Sequence, residues 1–81
     1  MDQALFTELK RLRLELAKKK RIPAYAVFPD RALLEMAEQR PEDLDGLAAI
    51  NGVGPKKLAQ YGEIFIAHIH NYDPADLYDP S

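Results

Sequence analysis

From residue 3 to residue 20 the chain runs without a proline or a glycine, and within that stretch Leu5, Leu9, Leu12 and Leu16 recur at spacings of three and four. That period stacks the leucines on one side of a helix, and an apolar face of such length has to be buried against other elements. No segment alternates apolar and polar residues long enough to make a strand, so the burying partners are expected to be helices as well. The spacing predicts a helix over 3–20, with Phe6 beside the stripe and Asp2 as its N-cap.

Prolines divide the rest of the chain. Pro23 breaks the first helix, and "RIPAYAVFPD" brings in Ile22, Tyr25, Val27 and Phe28, too apolar for a free loop and too short for a sheet. An extended or single-turn segment packed across the other helices is expected, with Phe28 in the core. Asp30 is expected to cap a second helix whose buried positions are Leu33, Leu34, Met36 and Ala37, ending at Arg40 before Pro41. Leu44, Leu47 and Ile50 mark a short third helix. Leu58, Tyr61, Phe65 and Ile69, with Ile66 alongside, mark a fourth, running from Pro55 to about His70. The architecture is an all-α, compact bundle of four to five helices, organised as one domain over residues 1–72 and an acidic tail over 73–81 in which Leu77 and Tyr78 are available to dock.

An 81-residue chain buries only ~60% of the surface its unfolded form exposes, which argues against a large enclosed active site. With no cysteine there is no disulfide framework and no thiolate metal site. No apolar run approaches the ~20 residues of a membrane span, and Asp2 and Glu8 stand where an export signal would be basic and then apolar. A cytoplasmic protein, or a nuclear one in a eukaryote, is therefore expected, with no membrane partner and as a monomer.

The net charge of -2 hides an asymmetry: residues 1–21 carry a net +4 and residues 22–81 a net -6. Lys18, Lys19, Lys20 and Arg21 close the first helix, where cations complement the negative end of the helix dipole. One cation serves that purpose and here there are four, so a polyanion-binding role stands beside the capping role. Tyr25 comes directly after, either as a core residue or as an exposed stacking surface for a base.

Residues 49–62, "AINGVGPKKLAQYG", hold the other distinctive stretch. Glycines at 52 and 54 permit positive φ and close approach of a neighbour, and Pro55 fixes φ where a helix begins. The helix N-terminus behind Gly52-Val53-Gly54 offers unpaired N–H groups to a phosphate, with Lys56 and Lys57 beside it. The stretch resembles the hairpin of helix-hairpin-helix DNA binders. Its first expected role is to pack helix three against helix four, and phosphate contact is the second.

Taken together, the segment from Pro23 to about Ile69 resembles the HRDC domain, the helicase and RNase D C-terminal module. The resemblance rests on Pro23, Tyr25, Val27 and Phe28, then on Asp30, Leu33, Met36, Ala37 and Pro41. It continues through Leu47, Ile50, Gly52-Val53-Gly54, Lys57, Tyr61-Gly62 and Phe65. The first helix, "LFTELKRLRLELA", is more similar to that of HRDC domains in RecQ-type DNA helicases than to the RNase D version. The resemblance implies a non-catalytic accessory domain of such a helicase that assists weak, structure-dependent binding of single-stranded or branched DNA. It implies a nucleic-acid face near the end of the first helix, at Lys18, Lys19, Lys20, Arg21 and Tyr25. ATP and magnesium are implied for the parent helicase and no cofactor for this domain.

The acidic majority supports a different role. Glu35, Glu38, Glu42, Asp43 and Asp45 gather on helices two and three, and such a face favours a basic protein surface over a phosphate backbone. The alternative is a regulatory docking module that contacts the helicase core of the same chain, or another partner, through Glu35, Glu38, Asp43 and Asp45. An enzyme is not expected. The carboxylates lie on polar helix faces, no Walker-type glycine-lysine loop is present, and His68 and His70, two residues apart, point to different helix faces and do not pair on a metal.

Overall fold

The computed structural model describes residues 3–72, and its elements track the prolines and glycines closely. Helix α1 spans Gln3–Lys20, α2 Asp30–Gln39, α3 Leu44–Ala48 and α4 Pro55–Asn71, with a single 3₁₀ turn at Ala24–Ala26. Among the described residues there is no strand. Asp2, Leu77, Tyr78 and the tail aspartates lie outside the described residues.

The core forms where the four apolar faces converge. Leu5, Leu9 and Leu12 of α1 are buried against Leu33 and Met36 of α2, Leu47 of α3 and Phe65 and Ile69 of α4. Phe28 lies at its centre, edge-on to Phe65 with ring centres 5.0 Å apart and to Tyr61 at 6.0 Å, the tilted geometry that the ring quadrupoles favour. A half-turn earlier the chain does the opposite: the 3₁₀ turn, closed by Ala26 N–H to Pro23 O at 3.0 Å, throws Tyr25 outward.

Two sequence expectations are corrected in α2. Asp30 does not cap the helix. Pro29, extended at φ -71° and ψ 161°, is the N-cap and its carbonyl accepts from Ala32 and Leu33, while Asp30 is the first helical residue. The carboxylate of Asp30 is engaged instead by Arg13, at 2.7 Å. The core-facing position at the start of α2 is Ala32, fully buried, whereas Leu34 is only half-buried because the stripe passes through 32, 33, 36 and 37.

Candidate nucleic-acid interface

Three short pieces of chain build the basic end of the molecule. The first is the exit of α1. Ile22 N–H bonds Ala17 O at 3.0 Å and Arg21 N–H bonds Lys18 O at 3.2 Å, with Arg21 left-handed at φ 57°, which together make a Schellman motif. That position ordinarily favours glycine, and here it carries a guanidinium. The motif ends the helix sharply, tucks Ile22 against the core and leaves Lys18, Lys19, Lys20 and Arg21 exposed.

The second piece is the segment with Tyr25, 73% exposed, which leads into the buried Val27 and Phe28. Its path is held from beneath. Arg13, 8% exposed, donates to the Phe28 carbonyl at 3.0 Å while pairing with Asp30. The helical stripe gave no sign of this role, because an arginine in a lysine- and arginine-rich helix reads as surface charge; only its position next to Leu12 on the buried side marks it.

The third piece is the turn into α4. Gly52 takes φ 94°, and a Cβ there would stand 3.0 Å from Pro29 Cγ and 3.3 Å from Ala32 Cβ, so the turn is pressed against the start of α2. Val53 is buried beneath it, and Glu35 accepts a hydrogen bond from Asn51 N–H at 3.0 Å. Of the two glycines only Gly52 uses positive φ. Gly54 is the extended N-cap of α4, with open space around its α-carbon, and its carbonyl accepts from Leu58 N–H at 2.9 Å.

The first and third pieces meet in an open groove of about 460 Å³ lined by Lys20, Ile22, Lys56, Lys57, Gln60 and Tyr61. Tyr61 is its floor, 3% exposed, with Lys20 Nζ 5.3 Å and Lys57 Nζ 5.9 Å from the ring centre. Lys57 also donates to the Ala26 carbonyl, which joins α4 to the Tyr25 segment. Lys20 and the adjacent pair Lys56 and Lys57, far from it in sequence, therefore share one concave surface. Lys18, Lys19, Arg21 and Tyr25 lie exposed on the flanking chain and do not line it.

The four carboxylates of the docking alternative divide. Glu35 is committed to Asn51, and Asp43 caps α3 by accepting from Gly46 N–H at 2.8 Å; Glu38 and Asp45 are exposed. Among the described residues no three His, Asp or Glu side chains gather as metal ligands would, and no helix is long and apolar enough to cross a membrane.

The family model of the HRDC domain matches residues 2–69. The chain belongs to the HRDC family. HRDC domains are accessory, non-catalytic domains of RecQ- and UvrD-type DNA helicases, and the relatives are of both types. The ATP-dependent DNA helicase UvrD2 of Mycobacterium tuberculosis is 47% identical over 62 residues, 76% of this chain and 9% of the relative. The ATP-dependent DNA helicase RecQ of Bacillus subtilis is 40% identical over 71 residues, 88% of this chain and 12% of the relative. The chain thus spans about a tenth of the length of these curated relatives. Among solved structures, D. radiodurans RecQ HRDC domain 3 superposes with a TM-score of 0.79 at 31% identity, covering 98% of this chain and 99% of that one. The all-helical HRDC fold expected from the sequence is the fold observed.

Proposed function

We propose that this HRDC domain helps an ATP-dependent DNA helicase of RecQ or UvrD type to hold single-stranded or branched DNA, weakly and without sequence preference. The observation that carries this reading is the shared groove, in which Lys20 from the end of α1 and Lys56 and Lys57 from the start of α4 face one concavity. Closely spaced ammonium groups neutralise successive phosphates and release counterions, and an exposed aromatic such as Tyr25 offers a base a stacking surface of roughly 1–3 kcal/mol. Lys18, Lys19 and Arg21 extend the cationic track, while Gly54 leaves room for a backbone at the α4 N-terminus. The helicase chemistry, with its ATP and magnesium, belongs to other parts of the parent protein, working in the cytoplasm or the nucleus. The domain, residues 1–72, acts as a monomer.

The test is fluorescence anisotropy of a labelled single-stranded oligonucleotide across a salt series, beside a Lys20→Ala/Tyr25→Ala/Lys56→Ala variant checked for folding by circular dichroism. Affinity that falls with salt and drops at least tenfold in the folded variant supports the reading. Absence of binding at low salt sinks it for this domain.

A second reading, regulatory docking on the helicase core through the acidic face, is favoured by the exposure of Glu38 and Asp45. It requires measurable affinity for a helicase core that charge neutralisation at these two positions removes.

A further inference from the structure

The two ends of α4 differ in chemistry. Its first turn carries Lys56 and Lys57, while about 14 Å further along, at 1.5 Å per residue, Ile66 and Ala67 line a second, apolar groove with Leu44 of α3. This groove has a volume of about 410 Å³, and its rim carries the carboxylates of Glu63 and of Asp43, which stays exposed while its Oδ1 caps α3, with His70 and Asn71 beside them and no lysine or arginine. Leu44, 39% exposed, forms one wall, and Gly62 lets it lie against α4, since a Cβ at 62 would stand 2.8 Å from Leu44 Cδ2. Ile64, 39% exposed, and Asp45 lie on the same two helices beyond the groove's edge.

We propose that this α3–α4 groove is a docking site for a basic amphipathic segment of a partner protein, one that seats an apolar anchor between Leu44 and Ile66 and sets lysines or arginines against Asp43 and Glu63. Charge complementarity decides the occupant. An apolar floor takes a leucine- or phenylalanine-like side chain, and two rim carboxylates with no lysine or arginine among the lining residues favour a positively charged flank and repel an acidic one. The same rim disfavours DNA. The small footprint fits a transient contact made by one or two anchors. The proposal goes beyond the acidic-face reading, because recognition here is apolar and runs along α3 and α4, and it stands or falls apart from the DNA reading.

The probe is a synthetic helical peptide with leucines at i, i+3 and i+7 and lysines elsewhere, titrated into the isotopically labelled 81-residue chain and monitored by amide chemical shifts. The controls are the same peptide with glutamates for lysines and with serines for leucines. The expected result is saturable shifts at Leu44, Gly46, Glu63, Ile66, Ala67 and Asn71, weakened by salt, with at least a tenfold lower affinity for both controls. Ala67→Lys and Glu63→Lys, both at exposed helix positions, are each expected to weaken binding at least fivefold while leaving the unfolding midpoint and oligonucleotide affinity unchanged. Shifts confined to the Lys20–Lys57 groove, equal binding of the glutamate peptide, or no saturation by 1 mM peptide (an affinity of roughly 4 kcal/mol) overturn the proposal. Concentration-dependent dimerisation that Glu63→Lys abolishes overturns it in favour of a second copy. Peptide binding seen only after removal of residues 73–81 overturns it in favour of the chain's own tail.

Discussion

Arg13 and Phe28, fifteen residues apart, are joined by a guanidinium-to-carbonyl hydrogen bond of 3.0 Å beneath the surface. The bond fixes the backbone at the point where the chain turns from an outward Tyr25 to an inward Phe28. Arg13→Ala leaves the Phe28 carbonyl without this donor and Asp30 without its partner. A loss of about 2–3 kcal/mol is expected, read from the urea midpoint of unfolding. Asp30→Asn, at a carboxylate 68% exposed, is expected to cost under about 1 kcal/mol.

The glycines of the turn differ in consequence. Gly52→Ala forces a Cβ onto a backbone at φ 94° and against Pro29, and is expected to lower stability by about 1–3 kcal/mol. Gly54→Ala meets open space at an ordinary φ, and its cost is expected to stay within about 1 kcal/mol. Thermal unfolding of the two variants side by side checks the order.

Arg21 holds a left-handed conformation without being glycine. Arg21→Gly is expected to raise stability by about 0.5–1 kcal/mol by removing that strain, while reducing oligonucleotide affinity at low salt. Opposite signs in unfolding and anisotropy measurements would separate the fold's preference at this position from its use as a binding charge.

Lys56 and Lys57 line the same groove, but Lys57 also donates to a backbone partner, the Ala26 carbonyl. Lys56→Ala is expected to alter oligonucleotide affinity alone. Lys57→Ala is expected to lower both affinity and, by about 0.5–1.5 kcal/mol, stability. Equal unfolding midpoints for the two variants would refute the structural part of Lys57's role.

Acid titration should report on α1. The hydrogen bond from Arg11 holds the Glu8 carboxyl below its usual pKa of 4.5 against a smaller desolvation effect, with the charges of Arg11 and His68 adding to the lowering. A carboxyl whose pKa is depressed on folding contributes stability that is fully present above its unfolded value and disappears as pH falls through the folded one. Helix α1 is therefore expected to lose a small increment of stability below about pH 4.5 that Glu8→Gln lacks at every pH, measured as the pH dependence of the unfolding midpoint.

The helical stripes, the prolines and the Gly-Val-Gly turn determine the element order of this protein, because period and breakers act over a few residues and need no partner to be read. They place α1 at Gln3–Lys20, start α4 at Pro55 and put Phe28 in the core. Tertiary structure alone decided matters that depend on which surfaces meet. It took Asp30 from capping to an ion pair with Arg13, buried Ala32 in place of Leu34, and turned Tyr25 to solvent. It also brought Lys20 alongside Lys56 and Lys57, and set Leu44 against Ile66 in an acid-rimmed groove at the far end of the same helix. Both grooves are made by residues too far apart in sequence for any local pattern to pair them. Their geometry arises from how the packed core sets one helix against another, and that depends on the shapes of buried side chains on every element at once.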